Sequence, residues 1–247
     1  MISVKEKWAL LTGASRGVGY QIARFMASQG CNLVLQSRDL AHTEKVLQEV
    51  LATGVEAYAV SADLADINQV YAMLKRIDEK GTQIDIVLNN AAIQLPSKEN
   101  YCETPIADFN TSFTINTIAP AVICYHFLPK MMQCGFGRIV NTTSGIALQP
   151  EHAGYSASKA ALDKFTIDIG VKVNGTDVMI NLTDPGWCRT DLGGPSAPNA
   201  PESVIPGIVV GAFVNDQKSG RLFGAQDFCD MSLEDAVTHA ETFKSPY

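Results

Sequence analysis

Tyr155 and Lys159 stand four residues apart in the stretch YSASK, so on a helix both side chains leave one face and can reach the same small molecule. A free phenol titrates near pH 10 and exchanges protons poorly at neutrality without help. An ammonium about 4 Å away, at an effective dielectric of about 20, favours the phenolate by roughly 4 kcal/mol, or about three pK units, and desolvation opposes part of this. Such a pair can trade a proton with a reacting oxygen. Ser144 lies just past an apolar run at 138–143, and a hydroxyl at a strand's carboxyl end faces the crevice where α/β sheets bind ligands, so it can steady a carbonyl oxygen. Asn116 falls within a helical stretch, and Pro120, four residues on, has no N–H for the Asn116 carbonyl. That oxygen is then free to hold a water connecting Lys159 to solvent. Each feature also has a plainer reading: a solvent-exposed YxxxK, a serine in a turn, a proline kink.

A second chemistry sits near the start of the chain. Thr12-Gly13-Ala14-Ser15-Arg16-Gly17-Val18-Gly19 joins an apolar run to an amphipathic one, where backbone N–H groups and a helix dipole can hold a pyrophosphate. The spacing is Gly-x-x-x-Gly-x-Gly rather than GxGxxG. Any tight strand-to-helix turn also favours glycine.

The elements that must carry these residues follow from hydrophobic periodicity. Short apolar runs at 7–11, 32–36, 56–61, 84–88, 138–143, 178–183 and 220–223 alternate with amphipathic stretches at 18–29, 40–52, 67–80, 104–134 and 154–172, the signature of βαβ units on a parallel sheet. Residues 84–88 are apolar at nearly every position, as in a central strand covered on both faces. Thr104 and Pro105 mark a helix start, and Pro120 must disturb that helix. Paired glycines and three prolines make 192–201 a long loop. With no repeat and no boundary before about 225, residues 1–247 read as a single domain, with a substrate loop at about 190–206 and a short C-terminal extension at about 226–247.

Composition removes several classes of function. With 247 residues and an apolar fraction of 46%, the chain can bury a full core. Nineteen Lys and Arg against 26 Asp and Glu leave a net charge of −7, which argues against nucleic-acid or anionic-membrane partners. The longest apolar stretch, 204–214, is interrupted by Pro206 and two glycines and falls well short of the roughly 18 residues of a membrane span. The opening MISVKEKWALL lacks the apolar core of a secretory signal, so the expected location is cytoplasmic. Cys31, Cys102, Cys124, Cys134, Cys188 and Cys229 form no CxxC pair, and His42, His126, His152 and His239 stand alone. No metal site is expected.

Taken together, the motifs resemble the short-chain dehydrogenases/reductases in their single-domain form of about 250 residues. The match is ordered along about residues 5–225: TGASRGVG at 12–19, Asp63-Leu64, Asn89-Asn90-Ala91-Ala92, Asn116, GRIVNTTS ending at Ser144, YSASK at 155–159, and Pro185-Gly186-Trp187-Cys188-Arg189-Thr190. The resemblance implies a Rossmann-like, doubly wound α/β/α sandwich on a seven-stranded parallel sheet in the order 3-2-1-4-5-6-7. It implies Tyr155 as proton donor or acceptor, Lys159 lowering its pKa and holding the nicotinamide ribose, Ser144 on the substrate oxygen and Asn116 anchoring a relay water. Gly13, Ser15, Arg16, Gly17, Val18 and Gly19 would take the pyrophosphate, and Asp63, followed by Leu64, the adenine amino group. Asn90 and Ala91 would border the adenosine side. Pro185, Gly186 and Cys188 would hold the nicotinamide, with Thr190 on its carboxamide. Homodimers or homotetramers are the family's usual state.

Two departures stand out. Ser144 and Tyr155 are eleven residues apart, where the family often has one or two more, which implies a tighter loop and raises Thr143 as a partner in the serine's task. The ending SGRLFGAQDF with its tail also replaces the family's glycine-rich last strand.

An NAD site usually offers Asp or Glu at the end of the second strand, but here Ser37 is followed by Arg38. Arg38 and Arg16 can bind a 2′-phosphate through charge-assisted bonds, so NADP(H) is favoured over NAD(H). The other reading pairs Arg38 with Asp39. The expected function is hydride transfer between nicotinamide C4 and the carbonyl carbon of a small ketone, aldehyde or alcohol, with Leu95, Leu148, Trp187 and Leu192 as apolar substrate wall and 192–206 closing over it. Core packing is the plainer role for Trp187. The alternative function is a non-catalytic NADP-binding regulator or scaffold.

Overall fold

The structure, a computed structural model, describes residues 1–98 and 100–244. Seven parallel strands form one sheet: β1 (Trp8–Leu11), β2 (Asn32–Ser37), β3 (Ala57–Ser61), β4 (Ile86–Asn89), β5 (Gly137–Thr142), β6 (Val178–Asp184) and β7 (Leu222–Gly224). Their order is 3-2-1-4-5-6-7, the arrangement implied by the resemblance. Side chains alternate across the pleat, and the core divides accordingly. Ala9, Leu11, Leu33 and Leu35 enter one apolar cluster, while Leu10 and Val34 enter another on the opposite face.

Helices cover both faces. Ile22, Ala23 and Met26 of α1 (Gly17–Ser28) and Val46 and Val50 of α2 (Glu44–Leu51) fill the first cluster. The second receives Val70, Met73, Leu74 and Ile77 of α3 (Ile67–Glu79). It is completed by α5 (Ala119–Cys134) and α6 (Ala153–Val173), with Ile123, Phe127 and Val173 among its members, while α4 (Ile106–Phe113) packs against α6.

Several boundaries differ from the sequence reading for local reasons. The helix expected over 40–52 begins as a 3-10 turn, Leu40–Thr43, capped by the Asp39 side chain accepting from the Ala41 N–H. Pro105 is extended at ψ 143° and acts as the N-cap of α4, so that helix starts one residue later than expected. The disturbance expected at Pro120 is a π-helical stretch, Thr114–Ile118, between α4 and α5. The extra residue it accommodates absorbs the missing proline N–H while the chain stays helical.

The segment expected as an extension packs on the first cluster. Phe228 and, from α7 (Leu233–Glu241), Ala236, Val237 and Ala240 are buried there. Rings of Phe223, Phe228, His239 and Phe243 contact one another, so the tail is core rather than appendage; residues 245–247 of it lie outside the described residues. No helix among the described residues is long and apolar enough to cross a membrane.

Candidate active site

The carboxyl ends of β1, β2, β4, β5 and β6 open into one cleft of about 1330 Å³, the place where open α/β sheets bind ligands. At one end lies the glycine turn. Gly13 and Gly17 have φ of 67° and 55°, the left-handed region that suits glycine. A Cβ on Gly19 would sit 2.0 Å from the Gly13 carbonyl oxygen, so close packing of the turn against α1 also needs glycine there. The first turn of α1 has no side-chain cap and no acidic residue, leaving its positive end open toward the cleft, where Gly13, Ser15, Arg16, Gly17, Val18 and Gly19 all lie. This uncapped donor set fits the diphosphate of a dinucleotide.

Two braces that the sequence reading missed hold this turn. Gln36, at the end of β2 and 2% exposed, accepts from Gly13 N–H at 3.0 Å and donates to the Ala62 carbonyl at 2.8 Å. Asn90, expected at the adenosine border, donates Nδ2 to the Thr12 and Gly13 carbonyls at 3.1 and 3.3 Å. Ala91 donates its N–H to Thr12 Oγ1, and its Cα would lie 3.0 Å from a Gly13 Cβ. A glutamine inside an apolar strand was the available signal for the first brace, since a buried amide must find partners.

Arg38 is exposed on the cleft rim. Asp39 is engaged as the cap of the following turn, and among the described residues no ion pair joins the two. Ser37 is buried, and its hydroxyl donates to the Asp39 carbonyl. Arg16 pairs with Asp191, both well exposed. Asp63 and Leu64 line the same end, and Asp63 Oδ1 accepts from Ala65 N–H.

At the other end are the side chains able to do acid–base work. Tyr155 and Lys159 on α6 are 8% and 2% exposed, and Asn116 is fully buried. Ser144, two residues beyond β5, brings its hydroxyl to hydrogen-bonding reach of the phenol, while the Thr143 hydroxyl faces the Asp163 carboxyl. Of the two hydroxyls, that of Ser144 is therefore the one beside the phenol. Asn116 accepts from Ile93 N–H at 2.8 Å and donates to the Ile93 carbonyl and Ser158 Oγ at 2.9 and 3.0 Å, pinning the loop after β4 to α6.

The expected acidification of Tyr155 needs correction. Burial pushes the phenol above its usual value; the Ser144 hydroxyl offsets part of the rise and the Asp184 charge adds to it. Lys159 Nζ is 5.9 Å from the ring centroid and donates to the Thr142 carbonyl at 2.7 Å. Burial pulls the ammonium down to about 8, opposed by Asp163 and Asp184. Desolvation is the largest influence on both groups, and a phenol raised above its usual value keeps its proton at neutral pH.

The substrate end also differs from expectation. Leu148 is 99% exposed with φ 59°, because the short link between Ser144 and Tyr155 turns it outward. Leu95 lies outside the residues lining the cleft, and the apolar side chains that line it include Ile93, Ile115, Ile146, Trp187 and Leu192. Trp187 is 57% exposed and donates Nε1–H to the Gly193 carbonyl at 2.7 Å, which excludes core packing. His152, read as an isolated histidine, lines the cleft with Gln94, Nδ1 lying 3.1 Å from Gln94 Nε2.

The loop after β6 is tied down. Arg189 donates to the Ala197 and Pro198 carbonyls at 3.0 and 2.6 Å, and Asn199 bonds residues 187 and 189 through its backbone. Pro185, Gly186, Cys188 and Thr190 line the cleft, and Thr190 Oγ1 accepts from Gly193 N–H at 3.1 Å. Burial pushes the Cys188 thiol up to about 11, which leaves it unreactive.

Comparison with known proteins adds family context. Residues 7–200 match the family model described as short chain dehydrogenase. The ketoacyl reductase HetN of Nostoc sp. is 33% identical over 192 residues, covering 76% of this chain but only 65% of HetN, under two thirds of that relative's length. Versicolorin reductase 1 of Dothistroma septosporum is 33% identical over 190 residues, 75% of this chain and 71% of the relative. A metagenomic short-chain oxidoreductase crystallised in complex with NADP superposes with a TM-score of 0.77 at 26% identity, covering 90% of this chain and 99% of that one.

Proposed function

The chain belongs to the short chain dehydrogenase family, and on that premise we propose that it is an NADPH-dependent carbonyl reductase, reversibly an alcohol dehydrogenase. The observation that carries the reading is the Tyr155 phenol, buried beside the Ser144 hydroxyl in the same cleft as the uncapped start of α1. When bound, the nicotinamide supplies or accepts the hydride at C4. Ser144 donates a hydrogen bond to the carbonyl oxygen, and Tyr155 gives its proton as negative charge develops there. A phenol that keeps its proton near neutrality is the form needed for reduction. Lys159 holds the nicotinamide ribose and assists the phenol in passing on its proton, and Asn116 fixes the adjoining loop and anchors the proton path.

Arg38, exposed and without a carboxylate partner among the described residues, supports selection of a 2′-phosphate, with Arg16 reaching the same region once it leaves Asp191. The NADP-bound relative supports that preference. Ile118, Tyr125 and Val171 leave an apolar face exposed at the helices preceding β5 and β6, consistent with a homodimer or homotetramer; sedimentation gives the state directly.

The test follows NADPH absorbance against ketones, aldehydes, sugars, steroids and acyl thioesters, with NADH in parallel. Turnover of a carbonyl compound with NADPH is expected. Cofactor binding with no oxidation across the panel would instead support a non-catalytic NADP-binding scaffold.

A further inference from the structure

Asp184 closes β6 at the cleft, and neither acid–base work nor cofactor binding has so far used it. Its two carboxylate oxygens reach in different directions. Oδ2 accepts from Gly145 N–H at 2.7 Å, and Oδ1 accepts from Gly186 N–H at 2.9 Å. The first amide belongs to the turn that carries Ser144; the second belongs to the Pro185–Gly186 turn. Chain separation between those amides is 41 residues, yet one side chain ties them. The approach is tight, since a Cβ on Gly145 would sit 2.9 Å from Oδ2, and Gly186 has φ 71°. Glycine at both positions lets the two amides converge on one carboxylate. A second tie, Gln226 Nε2 donating to the Pro185 carbonyl at 2.8 Å, steadies the same turn from behind.

We propose that Asp184 is a positioning residue that locks the Ser144 turn to the Pro185–Gly186 turn, so that the carbonyl-binding hydroxyl and the wall beside the nicotinamide move as one unit. This rests on the carbonyl-reductase reading for its kinetic consequence, though not for the clamp itself. Backbone amides bonded to a carboxylate make strong, charge-assisted contacts, and holding a reacting group to within a fraction of an ångström matters strongly for rate. The carboxylate also acts on the phenol. Tyr155 is faced by Lys159 one turn on along α6, by Ser144 after β5 and by Asp184 at the end of β6. Asp184 is the member of this group whose charge favours the protonated phenol, the acid required for reduction.

Two variants and two kinds of measurement test the clamp. Asp184→Ala removes both acceptors, and Asp184→Asn keeps the shape with one acceptor oxygen and no charge. Amide hydrogen exchange at Gly145 and Gly186 is expected to quicken by about tenfold or more in the alanine variant, and at one of the two in the asparagine variant. With a carbonyl substrate found for the native enzyme, kcat/KM for that substrate should fall about tenfold or more in Asp184→Asn while the Kd for NADPH changes less than about threefold. The alkaline limb of the reduction profile should move to lower pH, because loss of the negative charge eases ionisation of Tyr155. Unchanged exchange at both glycines overturns the proposal. Faster exchange with kcat/KM and the alkaline limb unmoved also overturns it, since the contact would then be structural alone. If the native enzyme turns over no carbonyl compound, the functional reading fails and the exchange measurement still decides the clamp.

Discussion

The two ends of the cleft are built on opposite principles. At the glycine turn, the groups open to a ligand are backbone N–H groups at the uncapped start of α1 and the exposed arginines Arg16 and Arg38. At the Tyr155 end, the working side chains are buried, and burial has moved both titrating groups: the phenol upward and the Lys159 ammonium down to about 8. One end therefore holds charge cheaply in water, where a point change alters selectivity with little effect on the fold. The other keeps ionisable groups out of water, where the same kind of change alters protonation and stability together.

The sharpest way to break this contrast is Tyr155→Phe. It is expected to lower kcat by about a thousandfold or more while leaving the Kd for NADPH within a few-fold, measured by turnover and by titration. Substantial residual turnover would mean that the acid lies elsewhere. Gly19→Ala attacks the opposite end, where the new Cβ would meet the Gly13 carbonyl at 2.0 Å. Lost NADPH binding or failure to fold is the expected outcome; native affinity in a stable variant would show that the turn yields.

Arg38→Asp asks whether selectivity is as detachable as its exposure implies. The native protein should prefer NADPH over NADH by about tenfold or more, about 1.4 kcal/mol, and the variant should reverse the order with little change in Tm. Equal affinities in the native protein would remove the assignment of Arg38.

Read through stability rather than turnover, Lys159→Met gives the smallest effect and a distinctive sign. A lysine whose folded value is lowered below its unfolded 10.5 binds fewer protons when folded, so its cost is fully present below about pH 8 and fades as pH rises toward 10.5. Removing it should raise Tm by a few degrees at pH 7, after the lost bond to the Thr142 carbonyl is offset, and by less at pH 9.5. A Tm difference that does not vary with pH would show that the buried charge costs nothing.

How far each end could be read from the chain follows the same division. The glycine turn is one continuous segment, and its spacing between an apolar run and an amphipathic one made it visible. Tyr155 and Lys159 were also visible, being one helical turn apart. Gln36 and Asp184 escaped notice, and Asn90 was read as a cofactor border rather than a brace, because each acts on a backbone group far along the chain, from Gln36 to Gly13, from Asn90 to Thr12 and from Asp184 back to Gly145. Leu148 was misread as wall because the direction of a short loop depends on what packs beneath it. The tail beyond 225 was misread for the same reason: its apolar residues are few, and only the face exposed by β7 and the helices around it shows where they go.

Periodicity determined the alternation of strands and helices, and with it the parallel sheet, because amphipathic spacing follows directly from backbone geometry. Residue type and order determined which side chains were chemically equipped. Tertiary structure decided their charge states and company. Whether a phenol near an ammonium is acidified or keeps its proton depends on desolvation, and desolvation is set by every neighbour that packs around the site, near or far in the chain.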